Sequence, residues 1–247
     1  MKSILQMGRE EILALTPNDI DRLLTAAELL YIAEVFEASW RYNYQAAKNG
    51  RIGQHAELKS ERHSDGFFVS KIFLAEPNIL EITANQLAVI TREEMAICGV
   101  PLPDYVVGIP NGATPLGKKL AEILGVKPAT MEKTDGRIKI TTELKSGDVI
   151  MVVEDIVTRG TATREAIASI FRQQPKTIVM PWVVAIINRG GLRNVEVDAS
   201  KFSIRAIADA QMNDWTPEEC PLCKMGSTPI KPKATDKNWE EITHSQI

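Results

Sequence analysis

Cysteine is scarce in this chain, with three in 247 residues. So few, and an odd number, exclude a disulfide-built scaffold and suit a reducing compartment. A basic excess is also missing, because 29 Lys and Arg stand against 32 Asp and Glu for a net charge of −3, with the cations scattered. No electrostatic field therefore recommends nucleic acid or an anionic lipid surface as a partner. Long apolar runs are lacking too. The longest, Thr177–Ile187, is too short to span a bilayer and contains Pro181, and residues 1–11 have no signal-peptide apolar stretch. The expectation is a soluble, cytoplasmic protein without a membrane partner. No internal repeat is visible. What the chain does have is length and 44% hydrophobic residues, enough to bury a sizeable core in one large domain or a domain plus a subdomain.

Periodicity changes along the chain. After Pro17 and Asn18, the residues Ile20, Leu23, Leu24, Ala27, Leu30, Tyr31, Val35 and Phe36 recur at helical spacing. A second helical segment runs from about Asn78 to Met95. Residues 48–66 between them are polar and have loop composition. From Tyr105 short apolar runs alternate with helical patterns: 105–109 then 114–124, 149–153 then 161–172, then 177–187 and 202–208. That alternation predicts an α/β fold with a central, mainly parallel sheet flanked by helices. The stretch after about Trp215, rich in proline and lysine, reads as a loosely ordered tail.

The strand predicted at Val149–Val153 is followed by Glu154 and Asp155. A buried parallel strand delivers its next residues to the carboxyl edge of the sheet, where open α/β folds bind ligands. Thr158, Arg159, Gly160, Thr161 and Ala162 then form a turn into a helix whose free amides and positive dipole end favour a phosphate. Carboxylates beside a phosphate nest make sense for a ligand that carries hydroxyls or Mg²⁺ near its phosphate, as a ribose 5-phosphate does. A plainer reading makes the acids a solvated strand end and Thr161 an ordinary N-cap. Gly112–Lys119 nearly spells a P-loop, but Lys119 stands where a Mg²⁺-binding hydroxyl is needed and Pro115 removes an amide.

Apolar strand, two acids, two spacers and a Thr-x-Gly-Thr turn together resemble the 5-phosphoribosyl-1-pyrophosphate (PRPP) signature of type I phosphoribosyltransferases. In that family the acids hold the ribose hydroxyls and the turn wraps the 5′-phosphate. Arg159 departs from the small residue common there. Gly108–Thr114 is similar to the family's pyrophosphate loop, which puts Gly112 among the PRPP contacts. Three looser matches narrow the resemblance to orotate phosphoribosyltransferases. Leu58–Phe68 is similar to their amino-terminal segment, with Lys59 reaching substrate and Phe67 and Phe68 beside the orotate ring; Glu61 replaces a family glycine. Ala185–Gly191 carries Arg189 where an arginine grips the orotate carboxylate, with Asn188 in place of a frequent Asp. Met131–Arg137 resembles a mobile loop, often closing across a dimer interface, with Lys133 as its catalytic lysine and Arg137 or Lys139 able to share the task. Read without the resemblance, Phe67 and Phe68 are core residues starting a strand, and residues 131–141 are a charged β-hairpin.

The resemblance covers roughly residues 55–225. It implies a type I phosphoribosyltransferase-like fold, with residues 1–57 as a helical region contributing to a hood, 58–214 as the core and 215–247 as the tail. It implies transfer of phosphoribosyl from PRPP to orotate in pyrimidine nucleotide biosynthesis, with Lys133 and Asp155 catalytic, and Glu154, Asp155, Thr158, Arg159, Gly160, Thr161, Ala162, Lys133 and Gly112 on PRPP. Lys59, Phe67, Phe68, Thr158 and Arg189 would hold orotate, Mg²⁺ would arrive mainly through PRPP, and the chain would be a homodimer. Another base as acceptor, or a PRPP-binding regulator without turnover, are the alternatives. Cys220 and Cys223 form one C-x-x-C pair, half the ligands of a structural Zn²⁺ site, and are expected to form an inert or dimer-packed turn. Cys98 and the histidines show no ligand spacing, with His63 inside the Leu58–Phe68 motif and His55 and His244 expected in solvent.

Overall fold

The computed structural model describes residues 2–247 and divides into two compact units. One comprises the residues up to Ile32 with Ser70–Gln211, the other Ala33–Val69 with Met212–Ile247. The larger unit contains eight strands, β1 (Tyr105–Gly108), β2 (Lys127–Ala129), β3 (Met131–Thr134), β4 (Arg137–Ile140), β5 (Val149–Val157), β6 (Ile178–Asn188), β7 (Asn194–Val197) and β8 (Ser200–Asp209). Six of them form one sheet in the order β7-β8-β6-β5-β1-β2. All neighbours are parallel except β7 with β8.

Three helices cover this sheet: α1 (Pro77–Cys98), α2 (Thr114–Leu124) and α3 (Thr161–Gln173). α1 and α2 each carry proline in the first turn and end on a left-handed glycine, Gly99 or Gly125, the asymmetry expected where a missing N–H costs nothing at the start and a positive φ is needed at the end. Ile150 and Val152 of β5 join a core with Ala166, Ile167 and Ile170 of α3 and with Val195 and Phe202. Met151, between them, meets the Thr91 hydroxyl of α1. Strand alternation thus buries β5 on both faces, which is why its sequence is a continuous apolar run.

β3 and β4 form the hairpin that the Ile138-Lys139-Ile140 alternation allows. Its two turn residues, Asp135 (φ 51°) and Gly136 (φ 78°), both lie in the left-handed region, as a two-residue turn matching strand twist requires. The outward amides of β4 and the segment after it are satisfied by α3: Ile138, Ile140 and Leu144 donate to Glu165, Ser169 and Gln173. Those acceptors recur every four residues along one helix face, so α3 covers an edge that would otherwise be open.

The first predicted helix is shorter than its periodicity. It occupies Ala26–Val35, because Thr25 and Glu28 form a reciprocal cap, the Glu28 amide donating to the Thr25 hydroxyl and the Thr25 amide to the Glu28 carboxylate.

In the smaller unit the order is Asp214–Trp215, His63–Ser64, Gln54–Glu57, Thr228–Ile230, joined as one sheet. Two corrections follow. Residues 48–66, expected as loop, supply its two middle strands. The tail, expected to be loosely ordered, supplies the outer strand Thr228–Ile230, the second residue of the outer strand Asp214–Trp215, and the helices Pro221–Lys224 and Asp236–His244. Cys220, Leu222 and Ile242 from the tail are fully buried in a core with Trp40, Tyr42 and Ala56. The tail is sparse in apolar residues, but those few complete a core whose other half lies far upstream. For the same reason the boundaries drawn at 57/58 and 214/215 do not coincide with the two units. Among the described residues no helix is long and apolar enough to cross a membrane.

Leu120 of α2 is fully buried, whereas Ile97 of α1 is 77% exposed. Leu120→Ala is expected to lower unfolding free energy by about 2 to 5 kcal/mol, and Ile97→Ala to change it by less than about 0.5 kcal/mol. Urea-unfolding midpoints of the two variants test this; equal effects would contradict the assigned core.

Candidate active site

The chain leaves β1 for β2 on one side of the sheet, then crosses back to β5 on the other. Such a reversal opens a crevice at the carboxyl ends of the two diverging strands. β1 leads into the loop 109–113 before α2. The Ile109 amide still donates to the Val153 carbonyl at 2.9 Å, and the Pro110–Asn111 peptide is cis. At Gly112 a Cβ would overlap the Asp155 carboxylate, so only glycine lets the loop approach the acid this closely.

β5 runs four residues beyond the predicted strand. β1 stops pairing at Gly108 opposite Val153, but β6 continues to pair until Asn188 lies opposite Val157. Glu154 and Asp155 therefore sit on the strand, not after it, and strand alternation sends them to opposite faces. Glu154 is buried and accepts the Thr163 hydroxyl from the first turn of α3. Burial pushes its carboxyl up to about 8, with the neighbouring Asp155 charge adding and the Thr163 hydrogen bond opposing. Asp155 is half-buried against Gly112.

The turn beyond β5 behaves as a backbone cradle. Gly160 (φ 65°), not Thr161, is the N-cap of α3, and no side chain caps the helix start. The first amides of the helix are left for another acceptor. Thr158 and Ala162 are half-buried, and Arg159 and Thr161 are exposed. The Arg159 carbonyl accepts from the Arg164 guanidinium, which fixes the turn from outside.

Arg189 is buried at the end of β6. Its amide and that of Gly190 both donate to the Val157 carbonyl, at 2.8 and 3.2 Å, so this turn is held directly to the one after β5. Asn188 donates to the Leu192 carbonyl and to Asp209, and accepts from the Leu192 amide. An aspartate there would face Asp209 without a proton to share, which accounts for the amide. Lys133 lies on β3 with its side chain exposed, as are Arg137 and Lys139 on β4.

The smaller unit holds the remaining predicted residues. Lys59 is exposed in the turn 58–61, which the Glu61 amide closes onto the Leu58 carbonyl. Glu61 has φ 59°, so the turn keeps a left-handed residue although glycine is absent. Phe68 is a core residue, while Phe67, on the opposite face of its strand, lies beside Trp239 at 6.1 Å and under the Lys233 ammonium at 5.5 Å. His55 is not in solvent. It is fully buried in the central strand Gln54–Glu57, beside His63, Cys220 and Cys223, and burial lowers its pKa to about 4, with His63 contributing. Asn188 was legible as a departure from the family's frequent Asp, whereas nothing local in the sequence marks Thr163 as the partner of Glu154.

A parallel sheet reversed beside β1, a buried acid on the adjoining strand and an uncapped helix start define a type I phosphoribosyltransferase fold. The crystal structure of orotate phosphoribosyltransferase from Aeropyrum pernix has the same fold, with a TM-score of 0.50 over 82% of this chain and 92% of that one at 16% identity. No protein-family model matches the sequence. Among curated proteins, the orotate phosphoribosyltransferase of Heliobacterium modesticaldum is 31% identical over 182 residues, covering 72% of this chain and 88% of that one. That of Wolinella succinogenes is 30% identical over 189 residues, with 72% and 88% covered. The chain belongs to the orotate phosphoribosyltransferase family.

The raised pKa of Glu154 has a consequence for stability. Its folded value lies above its unfolded one, so the folded state holds the extra proton, and this contribution is lost as pH rises through about 8. Glu154→Gln should therefore gain melting temperature relative to the parent between pH 5.5 and pH 9. Calorimetry at both pH values, without ligand, measures the difference, and a pH-independent gap would contradict the buried, protonated state.

Proposed function

We propose that the chain transfers the 5-phosphoribosyl group of PRPP to a ring nitrogen of orotate, giving orotidine 5′-monophosphate and pyrophosphate in pyrimidine nucleotide synthesis. Beyond family membership, the observation that carries this reading is the apposition of Gly112 to Asp155 where the sheet reverses. It joins a backbone loop suited to pyrophosphate with a carboxylate suited to ribose hydroxyls.

The roles are those the family resemblance assigns, and the chemistry of the chain's own groups suits them. The turn 158–162 receives the 5′-phosphate on uncapped amides and the hydroxyls of Thr158 and Thr161. Asp155 accepts from a ribose hydroxyl, and Glu154, protonated at neutral pH, offers both a donor and an acceptor. Arg189 offers a planar guanidinium to a carboxylate, and Thr158 lies on the turn its backbone is tied to. By the family resemblance, Lys59 and Phe67 would supply a cation and a ring face for the base. Phe68 contributes by holding Phe67's strand.

No covalent nucleophile is required. As the anomeric carbon loses pyrophosphate it gains oxocarbenium character, so catalysis rests on positioning and on charge. Lys133, with Arg137 and Lys139, carries positive charge on a hairpin whose inner strand is anchored to α3 and whose turn is free to meet the leaving group. Asp155 is a hard oxygen ligand that fits Mg²⁺, and the ion, completed by PRPP oxygens, would neutralise charge on the departing pyrophosphate. The chain is read as a cytoplasmic homodimer, in keeping with its three free thiols.

Asp155→Asn should slow transfer by about ten- to a hundredfold, the loss of a charge-assisted hydrogen bond worth on the order of 1.5 to 3 kcal/mol. Unchanged turnover and PRPP affinity would remove the phosphoribosyl assignment.

Arg189→Ala decides the base. It should raise KM for orotate by the equivalent of roughly 2 to 5 kcal/mol, because the substrate carboxylate would stay desolvated without its partner, and leave PRPP binding nearly intact. Steady-state kinetics with orotate, uracil, adenine and hypoxanthine measure this. Consumption of a purine and not orotate by the parent would refute the substrate; PRPP binding with no acceptor consumed would favour a regulator.

A further inference from the structure

The smaller unit contains a cluster that the phosphoribosyl reaction does not use. His55, His63, Cys220 and Cys223 each turn one ligand atom inward, all within 4.8 Å of one another. Three of the four residues are buried, and Trp40, Tyr42, Ala56, Leu222 and Ile242 surround them with apolar side chains. The two cysteines are free thiols.

The proton bookkeeping of this cluster points to a missing centre. Ser227 donates its hydroxyl to the Gly53 carbonyl at 3.0 Å, so the same oxygen accepts from His55 Nδ1 at 2.8 Å. That puts the His55 proton on Nδ1 and leaves Nε2 with a single lone pair. Three atoms converge on this lone pair: His63 Nδ1 at 3.0 Å, Cys223 Sγ at 3.5 Å and Cys220 Sγ at 3.6 Å. One lone pair accepts one strong hydrogen bond. His63 Nδ1 is in turn 3.2 Å from Cys223 Sγ, so it too faces more partners than one proton serves.

Ligands of a common ion show this crowding, because each atom bonds to the centre and not to its neighbours. Zinc at about 2.0 Å from nitrogen and 2.3 Å from sulfur, in tetrahedral geometry, separates its ligands by roughly 3.3 Å for N···N and 3.5 Å for N···S. Four of the six separations, at 3.0, 3.2, 3.5 and 3.6 Å, lie close to those values, and all six fall within 4.8 Å.

We propose that His55, His63, Cys220 and Cys223 bind a structural Zn²⁺ ion. Two thiols lose their protons as the ion binds, and two thiolates cancel its charge, so a neutral group is what the apolar shell encloses. Ser227 acts as the second-layer partner that fixes the His55 tautomer. Four protein ligands leave no open position, which makes the site structural and not hydrolytic. Mixed imidazole and thiolate donors favour zinc over Mg²⁺ or Ca²⁺. The ion would tie the strands 54–57 and 63–64 to the helix Pro221–Lys224 and its N-cap Cys220, which lies 165 positions after His55.

The test uses the full chain, purified under reductant and without chelator. Metal analysis should find one zinc ion per chain, and exchange into Co²⁺ should give the visible bands of a tetrahedral site with thiolate charge transfer. Chelation should lower the melting temperature, and Zn²⁺ alone should restore it. Cys223→Ser and His55→Ala should lose the metal, while Cys98→Ser keeps it. The wild-type cobalt spectrum stands even if the ligand variants fail to fold. A chain that carries no zinc and takes up neither ion after reduction would overturn the proposal. So would a single titratable thiol in the denatured, unreduced protein, since Cys220 and Cys223 would then be a disulfide.

Discussion

A parallel strand buried on both faces can offer hydrogen-bonding side chains only where its neighbours run out. In the larger unit this happens beside the end of β1. β1 ends at Gly108 while β5 and β6 continue together to Val157 and Asn188. The stretch of β5 beyond β1 is where Glu154 and Asp155 stand. The turn of α3, the loop carrying Gly112 and the turn carrying Arg189 all reach this ledge through backbone hydrogen bonds or close backbone approach. Their positions are consequences of strand lengths, not of separate loop designs.

The two acids illustrate how one element can create two environments. Adjacent on a strand, they face opposite ways. Glu154 is enclosed under α3 and keeps its proton near neutral pH; Asp155 stays half-exposed beside glycine. The family resemblance treats them as a pair with one task. The structure separates a buried carboxyl whose pKa is raised from a half-buried one beside glycine.

The smaller unit is assembled by a different logic. Its strands are short, its apolar residues few, and its two halves come from opposite ends of the chain. A core of this size is marginal by burial alone, and the buried His and Cys cluster lies where those halves meet. Zinc there would stabilise what the hydrophobic residues alone hold weakly.

Local pattern determined much of the larger unit. Helix α2 was legible to the residue, α3 nearly so, and the continuous apolar runs of β5 and β6 announced a parallel sheet, because period and run length are local properties. The turn from β5 into α3 was legible for the same reason. Tertiary structure alone decided the rest. Where β5 ends depends on how far β6 accompanies it. The face each acid takes follows from that pairing, and so does the pKa of Glu154. The order of the carboxy-terminal tail depends on a core built by residues 40–56, and the meeting of His55 and His63 with Cys220 and Cys223 needs a sheet in which Thr228–Ile230 pairs with Gln54–Glu57. Contacts across such separations leave no periodic trace in sequence, since each side chain's partner is set by the fold and not by its neighbours along the chain.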